Sequence, residues 1–449
     1  MSTQPHNNGS PSSLIGKGAI IAAPSSGSGK TTITLGLLRA LTRRGIDIRS
    51  AKAGPDYIDP QFHARASNCD CINLDPWAMR PEYLQYLAIE LSGQGPLLIE
   101  GMMGLFDGAI DGTGSVADLA NLLDLPVLLV VDAARQSHSI AALVEGFANH
   151  RKEVIVVGVI LNKVGSERHE AMLRKALQPI GIPVLGAIRR NAELAMPERH
   201  LGLVQADERE DLSAFIELAA DIIDQSIDIP ALIDIFTKLE PKSSTSPQSL
   251  LPPGQRIAIA RDNAFAFSYP HLINGWRAQG AEISFFSPLQ DQAPDAAVDA
   301  IYLPGGYPEL HAGQIAASSK FMKSLIAHAQ KDTVIYGECG GYMVLGEGLV
   351  DKAGCRHKMA GLLPLVTSYE KPKLHLGYRV ATPLIDFPFV RDRAKMSAHE
   401  FHYSTVEGSE KGEQLFEVYD AAGENKSLTG LRRANVMGSF IHLIDLHKN

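Results

Sequence analysis

The stretch Ala19–Leu38, AIIAAPSSGSGKTTITLGLL, decides the fold class of this 449-residue chain. The apolar run Ala19–Ala23 predicts a buried strand. PSSGSGKTT follows, and a helical pattern through Leu35, Leu37 and Leu38 follows that. A strand, a glycine-bearing turn and a helix are the context that a phosphate-binding loop requires. Gly27 and Gly29 let backbone N–H groups close around an anion with no Cβ in the way. The helix N-terminus adds partial positive charge at the same point. Gly27, Ser28, Gly29, Lys30, Thr31 and Thr32 are therefore the candidate nucleotide-binding residues. Lys30 is placed to reach β- and γ-phosphate oxygens, and Thr31 to take a Mg²⁺ position. The usual pattern, G-x-x-x-x-G-K-[ST], would put Gly where this chain has Pro24.

The length implies two or three domains. Hydrophobic residues make up 45% of the chain, enough for real cores, and the net charge of −8 argues against a general nucleic-acid binder. The four cysteines, Cys69, Cys71, Cys339 and Cys355, suit a reducing cytoplasm better than a disulfide framework. Cys69 and Cys71 are too closely spaced for a zinc knuckle, with no second pair to complete one. Residues 1–13 are polar and read as a disordered tail without the form of a signal peptide. No apolar run approaches membrane-spanning length.

Downstream, Ile46–Ala53 reads as a strand running into KAGPDYIDP, a turn at the strand's carboxyl end. Such turns line the ligand crevice of open α/β sheets. This places Asp56 and Asp59 toward the phosphate loop; as turn formers beside proline they need no ligand. Pro96–Ile99 reads as a buried strand ending at Glu100, where a carboxylate can hold Mg²⁺. Asp107 and Asp111 add carboxylates in the glycine-rich loop beyond. Further βα units follow to residue 188, and Asn162, ending one of these strands, is a candidate for reading a nucleobase. Ser213–Leu239 reads as one helix with Ser213 as its N-cap. PKSSTSPQSLLPPGQ, residues 241–255, is a linker by composition. It separates a first domain, 14–240, from a second α/β domain, 256–449.

The second domain carries a different chemistry. Gly337-Glu338-Cys339-Gly340-Gly341 lies between a predicted strand and a predicted helix. Small residues on both sides of the cysteine suit a sharp elbow that presents a nucleophile. A helix N-terminus there is expected to favour the thiolate. His442 in GSFIH is the best candidate base. The third member is open between Asp445, another carboxylate and none, because Ile444 stands where glutamine amidotransferases usually carry the acid. Gly305 and Gly306 in LPGGYPEL are candidate oxyanion donors. His399 and His402 are weaker candidates.

APSSGSGKTT, KAGPDYIDP, EGMMGLFDG, LPGGYPEL, GECGGYMVLG, HEFHYS and GSFIHLID, in that order, resemble the cobyrinic or hydrogenobyrinic acid a,c-diamide synthase family over nearly the whole chain. Pro24 is also what that family looks like. The resemblance implies a dethiobiotin-synthetase-like P-loop domain, α/β with a parallel sheet, followed by a class I glutamine amidotransferase-like α/β domain. It implies ATP- and glutamine-dependent amidation of corrin side-chain carboxylates in cobalamin biosynthesis. ATP would sit on the phosphate loop with Mg²⁺ at Thr31, Glu100 and Asp56. Ammonia would come from Cys339 and His442, and Asp56, Tyr57 and Ser115 would lie on the corrin side. A cytoplasmic enzyme, and a homodimer, go with this expectation. Competing readings are cobyric acid synthase, nickel-sirohydrochlorin diamide synthase, a P-loop switch or partitioning ATPase that would leave Cys339 idle, and a non-catalytic binding module.

Overall fold

The computed structural model describes residues 14–195, 198–199, 202–203, 211–240, 246–408 and 412–448. The expected tail, 1–13, and residues 241–245 of the expected linker lie outside them. Two compact units emerge: residues 1–77, 81–108 and 112–247, and residues 78–80, 109–111 and 248–449.

The first unit is built on β1 (Lys17–Ala22), β2 (Arg49–Ala53), β3 (Cys71–Leu74), β4 (Leu97–Glu100), β5 (Val127–Asp132), β6 (Val156–Val164) and β7 (Val184–Arg189). They lie in the order β3-β2-β4-β1-β5-β6-β7, all parallel. A short β8 (Thr237–Lys238) pairs antiparallel with the start of β1. The strands are almost wholly buried, as continuous apolar runs covered on both faces require. The chain winds to opposite sides of β1, so the carboxyl end of β1 is the crevice where such sheets bind ligands.

Helix α1 (Lys30–Arg43) starts in that crevice. Its N-cap, Gly29, has φ 89°, and Gly27 has φ 76°, a left-handed geometry that explains both glycines. No side chain caps α1, which leaves its first amides for a ligand. Along its length α1 packs on α7 (Leu212–Ser226) so closely that a Cβ at Gly36 would lie 2.5 Å from Ile223.

The first unit also holds α2 (Asp59–Ser67), within and beyond the expected turn, α3 (Pro81–Ser92), α4 (Val116–Leu123), α5 (Ile140–Asn149) and α6 (Glu167–Leu177). The expected single helix over Ser213–Leu239 is instead α7, then residues 229–234, then β8. Asp228 starts a new turn by accepting from the Ala231 amide, and Pro230 cannot continue the earlier ladder. Ser213 lies inside α7, whose N-cap is Asp211.

The second unit is built on a ten-stranded mixed sheet, beside a separate four-stranded sheet of residues 348–350, 356–358, 366–368 and 405–406. The parallel part of the larger sheet comprises β9 (Arg256–Ala260), β10 (Glu282–Phe286), β11 (Ala300–Leu303) and β12 (Val334–Glu338), joined by the later β17 (Val436–Ser439). Its antiparallel part is β13 (His375–Pro383), β14 (Met396–His402), β15 (Glu413–Asp420), β16 (Ser427–Arg433) and β18 (Ile441–Leu446). The order is β10-β9-β11-β12-β17-β16-β15-β13-β14-β18. Sequence reading reached the parallel strands and missed most of the antiparallel ones. Part of the expected linker packs here, since Leu251 N donates to Phe389 O.

Candidate active sites

At the first site the register of the sheet does the assembling. Lys52 at the end of β2 pairs with Glu100 at the end of β4, and Glu100 sits beside Ile21 of β1. Thr31, on the first turn of α1, donates to Glu100 Oε1 at 2.6 Å. Lys52 Nζ lies 2.8 Å from the same oxygen and 2.6 Å from Asp59 Oδ2. His63 Nε2 lies 2.6 Å from Glu100 Oε2, and its Nδ1 lies 3.5 Å from Cys71 Sγ. Burial alone would raise the Glu100 pKa, but Lys52 and His63 override it and hold the carboxyl well below the usual range. Burial likewise opposes charge on His63, yet Cys71 and Glu100 beside it raise its pKa to about 10. Asp59 is pushed up to about 6 by burial and by Asp56.

Lys30 Nζ turns onto the Met103 carbonyl and lies 3.4 Å from Ser25 O. Burial, then Lys52, lowers its pKa to about 8. A cavity of about 570 Å³ is lined by Gly27, Gly29, Lys30, Thr31, Lys52, Asp59 and Glu100. A second, of about 400 Å³, lies beyond Thr32 and Asn162, beside Asp132 and Arg189.

Several expected roles change. Asn162 lines that second cavity, but its amide braces the phosphate loop: Nδ2 donates to Ser28 O at 2.8 Å, and Oδ1 accepts from Lys163 N. A Cβ on Gly29 would lie 2.2 Å from that Nδ2. One N–H and one lone pair of the amide are thus used by the protein, and the side chain still lines the cavity. Asp56 lines the cleft, but its Oδ1 accepts from the Ile58 and Asp59 amides and so caps α2. The carboxylate that reaches Thr31 is Asp59, at 3.4 Å. Ser115 is buried and caps α4 in a reciprocal box with Asp118, so it offers no ligand contact. Tyr57 is buried and presents little surface to a large ligand.

Lys52 and His63 were missed. Lys52 stood within a quoted motif, but a lysine before a turn carries no signal of its own until the strands are aligned. Cys69 and Cys71 are free thiols.

In the second unit Cys339 sits at the junction of β12 and the six-residue helix Gly340–Leu345, with φ 47° and ψ −103°. Such a φ on a non-glycine residue is strained and marks the expected elbow. The flanking glycines are needed because a Cβ at Gly341 would lie 1.9 Å from Leu303 O. The expected low thiol pKa is corrected. Burial, then the Glu309 carboxylate, pushes the thiol far above its usual value, and one hydrogen bond from the short helix does not offset them.

His442, in β18, is fully buried. A Cβ at Gly305 would lie 3.2 Å from both Cys339 Cβ and His442 Nε2, so the two side chains flank one glycine. The Gly306 amide nitrogen lies 3.1 Å from where a Cβ at Gly340 would stand, which puts it at the elbow. His399 lies opposite His442 in the β14–β18 pair, and burial, then His442, lowers its pKa to about 3. His402 stacks on Phe440 and lies 3.1 Å from Glu400, a packed rather than a reactive position. Asp445 is ion-paired: Arg80 N and Nε donate to its Oδ2 at 2.9 and 3.0 Å.

Two family models match the chain. Residues 19–204 match the CobQ/CobB/MinD/ParA nucleotide-binding domain, and residues 256–449 match the CobB/CobQ-like glutamine amidotransferase domain. The hydrogenobyrinate a,c-diamide synthase of Brucella abortus is 60% identical over 434 residues, covering 96% of this chain and 98% of that one. The proteins of the same name from Rhizobium meliloti and Mesorhizobium japonicum are 58% and 48% identical, with 95% and 96% of this chain and 99% of each relative covered. With both halves matched and the likeness running end to end, the chain belongs to the hydrogenobyrinate a,c-diamide synthase family.

Proposed function

We propose that the protein uses ATP and glutamine to amidate the a and c side-chain carboxylates of hydrogenobyrinic or cobyrinic acid. The observation that carries this reading is that one chain holds two chemically unlike sites. One is a phosphate loop beside buried carboxylates, and the other is a cysteine elbow beside a histidine.

At the elbow, Cys339 Sγ attacks the glutamine carboxamide carbon while His442 takes the thiol proton. His442 returns that proton to the leaving nitrogen as the C–N bond breaks, giving ammonia and a glutamyl thioester that water hydrolyses. Amides of Gly305 and Gly306 face the developing oxyanion. At the first site the loop amides and Lys30 hold the triphosphate. The corrin carboxylate attacks the γ-phosphorus, ADP leaves, and ammonia displaces phosphate from the acyl phosphate. A carboxylate needs this activation because it is a poor electrophile.

Thr31, Asp59 and Glu100 bring three oxygen donors together, a set that fits Mg²⁺. When bound, that ion neutralises phosphate charge. Lys52 holds Asp59 and Glu100 in place, and Asn162 holds the loop. Free cysteines throughout support a cytoplasmic setting.

The test is an assay of purified protein with ATP, Mg²⁺ and glutamine against each corrin acid, read as successive one-nitrogen mass changes. Cys339→Ala should lose glutamine-dependent product and keep ammonia-dependent product. Lys30→Ala should lose both. Glutamine-dependent amidation that survives Cys339→Ala would overturn the reading.

A further inference from the structure

We propose that Glu338, the residue immediately before the nucleophile, orients the His442 imidazole and completes the glutaminase site. This rests on the Cys339–His442 reading above.

The case begins with strand geometry. A β-bulge at residue 444 breaks the alternation of β18: His399 pairs with His442 and Ser397 with Asp445, so Asp445 returns to the face of His442. Residue 444 is a buried isoleucine. Asp445 gives both carboxylate oxygens to Arg80. The acid of β18 is thus already paired with a guanidinium. The carboxylate that meets the imidazole comes from β12, where Glu338 ends the strand opposite Ser439. Glu338 Oε2 lies 3.6 Å from His442 Nδ1. Glu338 Oε1 accepts from the Leu443 amide at 3.2 Å, and Oε2 accepts from the Tyr302 hydroxyl at 2.8 Å.

The carboxylate is thus fixed by the Tyr302 hydroxyl and the Leu443 amide, and stands at ion-pair distance from His442 Nδ1. Tyr302 is a dependable donor: burial, then Glu338, keeps its hydroxyl protonated. With Nδ1 turned to Glu338, the other nitrogen, Nε2, faces the Gly305 cranny that also holds Cys339 Cβ. A carboxylate on Nδ1 selects the tautomer with Nε2 unprotonated and steadies the imidazolium that forms during attack. The remaining ionisable groups about the ring give no substitute. His399, across the β14–β18 pair, is held neutral. Tyr336 behind Glu338 is held protonated. Glu309 and Glu400 act on Cys339, and Arg379 pairs with Glu400. Glu338 is a positioning residue, since it reaches glutamine only through His442.

The test measures glutamine hydrolysis by the full chain against pH. Glu338→Gln should lower kcat by about 10²-fold or more with KM for glutamine nearly unchanged. It should also move the acid limb of kcat/KM to lower pH, because the imidazolium loses its counter-charge. Glu338→Asp should recover part of the rate. Tyr302→Phe should cost a few-fold and move the limb the same way. Ammonia-dependent amidation, which bypasses this site, reports that each variant is folded. If Glu338→Gln does not fold, the Glu338→Asp and Tyr302→Phe profiles decide. An unmoved acid limb, or kcat and KM changing together without one, would overturn the role of Glu338. Hydrolysis that survives His442→Ala or Cys339→Ala would instead overturn the underlying reading.

Discussion

Glu100 and Glu338 each end an interior parallel strand, and each is sealed from solvent, at 0% and 1% exposure. Their company differs. Glu100 is surrounded by the cations of Lys52 and His63 and by a second carboxylate, Asp59. Glu338 meets a phenol, a backbone amide and an imidazole. The first environment is dense in charge, as suits a site that must hold phosphate. The second offers hydrogen-bond donors to the carboxylate rather than a ring of cations. One residue type at one topological position thus serves two chemistries, set by what the neighbouring strands present.

The sharpest way to break this comparison is to remove each carboxylate in turn. Glu100→Ala leaves Lys52 and His63 charged in a closed site. It should cost about 3–5 kcal/mol of stability, and amidation with either nitrogen source should be lost. Glu338→Ala leaves only neutral donors and should cost about 1–3 kcal/mol. Chemical denaturation of the two variants checks the difference, and equal losses would refute the contrast in charge density.

Acid should separate the two units next. His271 and His399 are held neutral by burial, with pKa values of about 4 and about 3. The unfolded chain, with histidine near ~6.5, takes up protons first as the pH falls. Stability present at neutral pH is therefore lost between about pH 6.5 and 3, by about 4 kcal/mol at pH 5 for the two together. His63 runs the other way. Its charged form contributes fully below about pH 6.5 and is lost only as the pH rises through its raised value of about 10. The two tryptophans, Trp77 in the first unit and Trp276 in the second, allow each unfolding step to be followed by fluorescence.

Gly305→Ala probes the second site alone. The new Cβ would lie 2.4 Å from His442 Cε1, so the ring must move. Glutaminase activity should fall about 10²-fold while ammonia-dependent amidation persists. The smallest effect is expected at Ser115→Ala, about 1 kcal/mol of stability from the lost cap, with KM for the corrin acid unchanged. A raised KM would return Ser115 to the corrin side.

Much of the first site was legible because it is local. The loop, its glycines, Lys30 and Thr31 lie within a few residues of one another, and strand ends announce themselves by composition. Asp59 was named without its contact to Thr31, and Lys52 and His63 were not singled out. Their roles depend on registers between strands that are tens of residues apart. In the second unit the elbow and GSFIH were readable from small residues and a framed histidine. The antiparallel strands were not, since their alternation is weak and their partners lie far off in the chain. Asn162 and Ser115, assigned to ligands from the sequence, also bond the protein's own backbone.

By itself, the sequence determined two α/β units, a phosphate loop and a nucleophilic cysteine, because each is encoded by short-range backbone demands on glycine and by hydrophobic period. Only the tertiary structure decided which acid serves which site. Arg80 pairs with Asp445 across 365 residues, a partner that no local pattern announces. Lys52 meets Glu100 and Glu338 meets His442 because sheet register, not proximity in the chain, sets which side chains share a buried space.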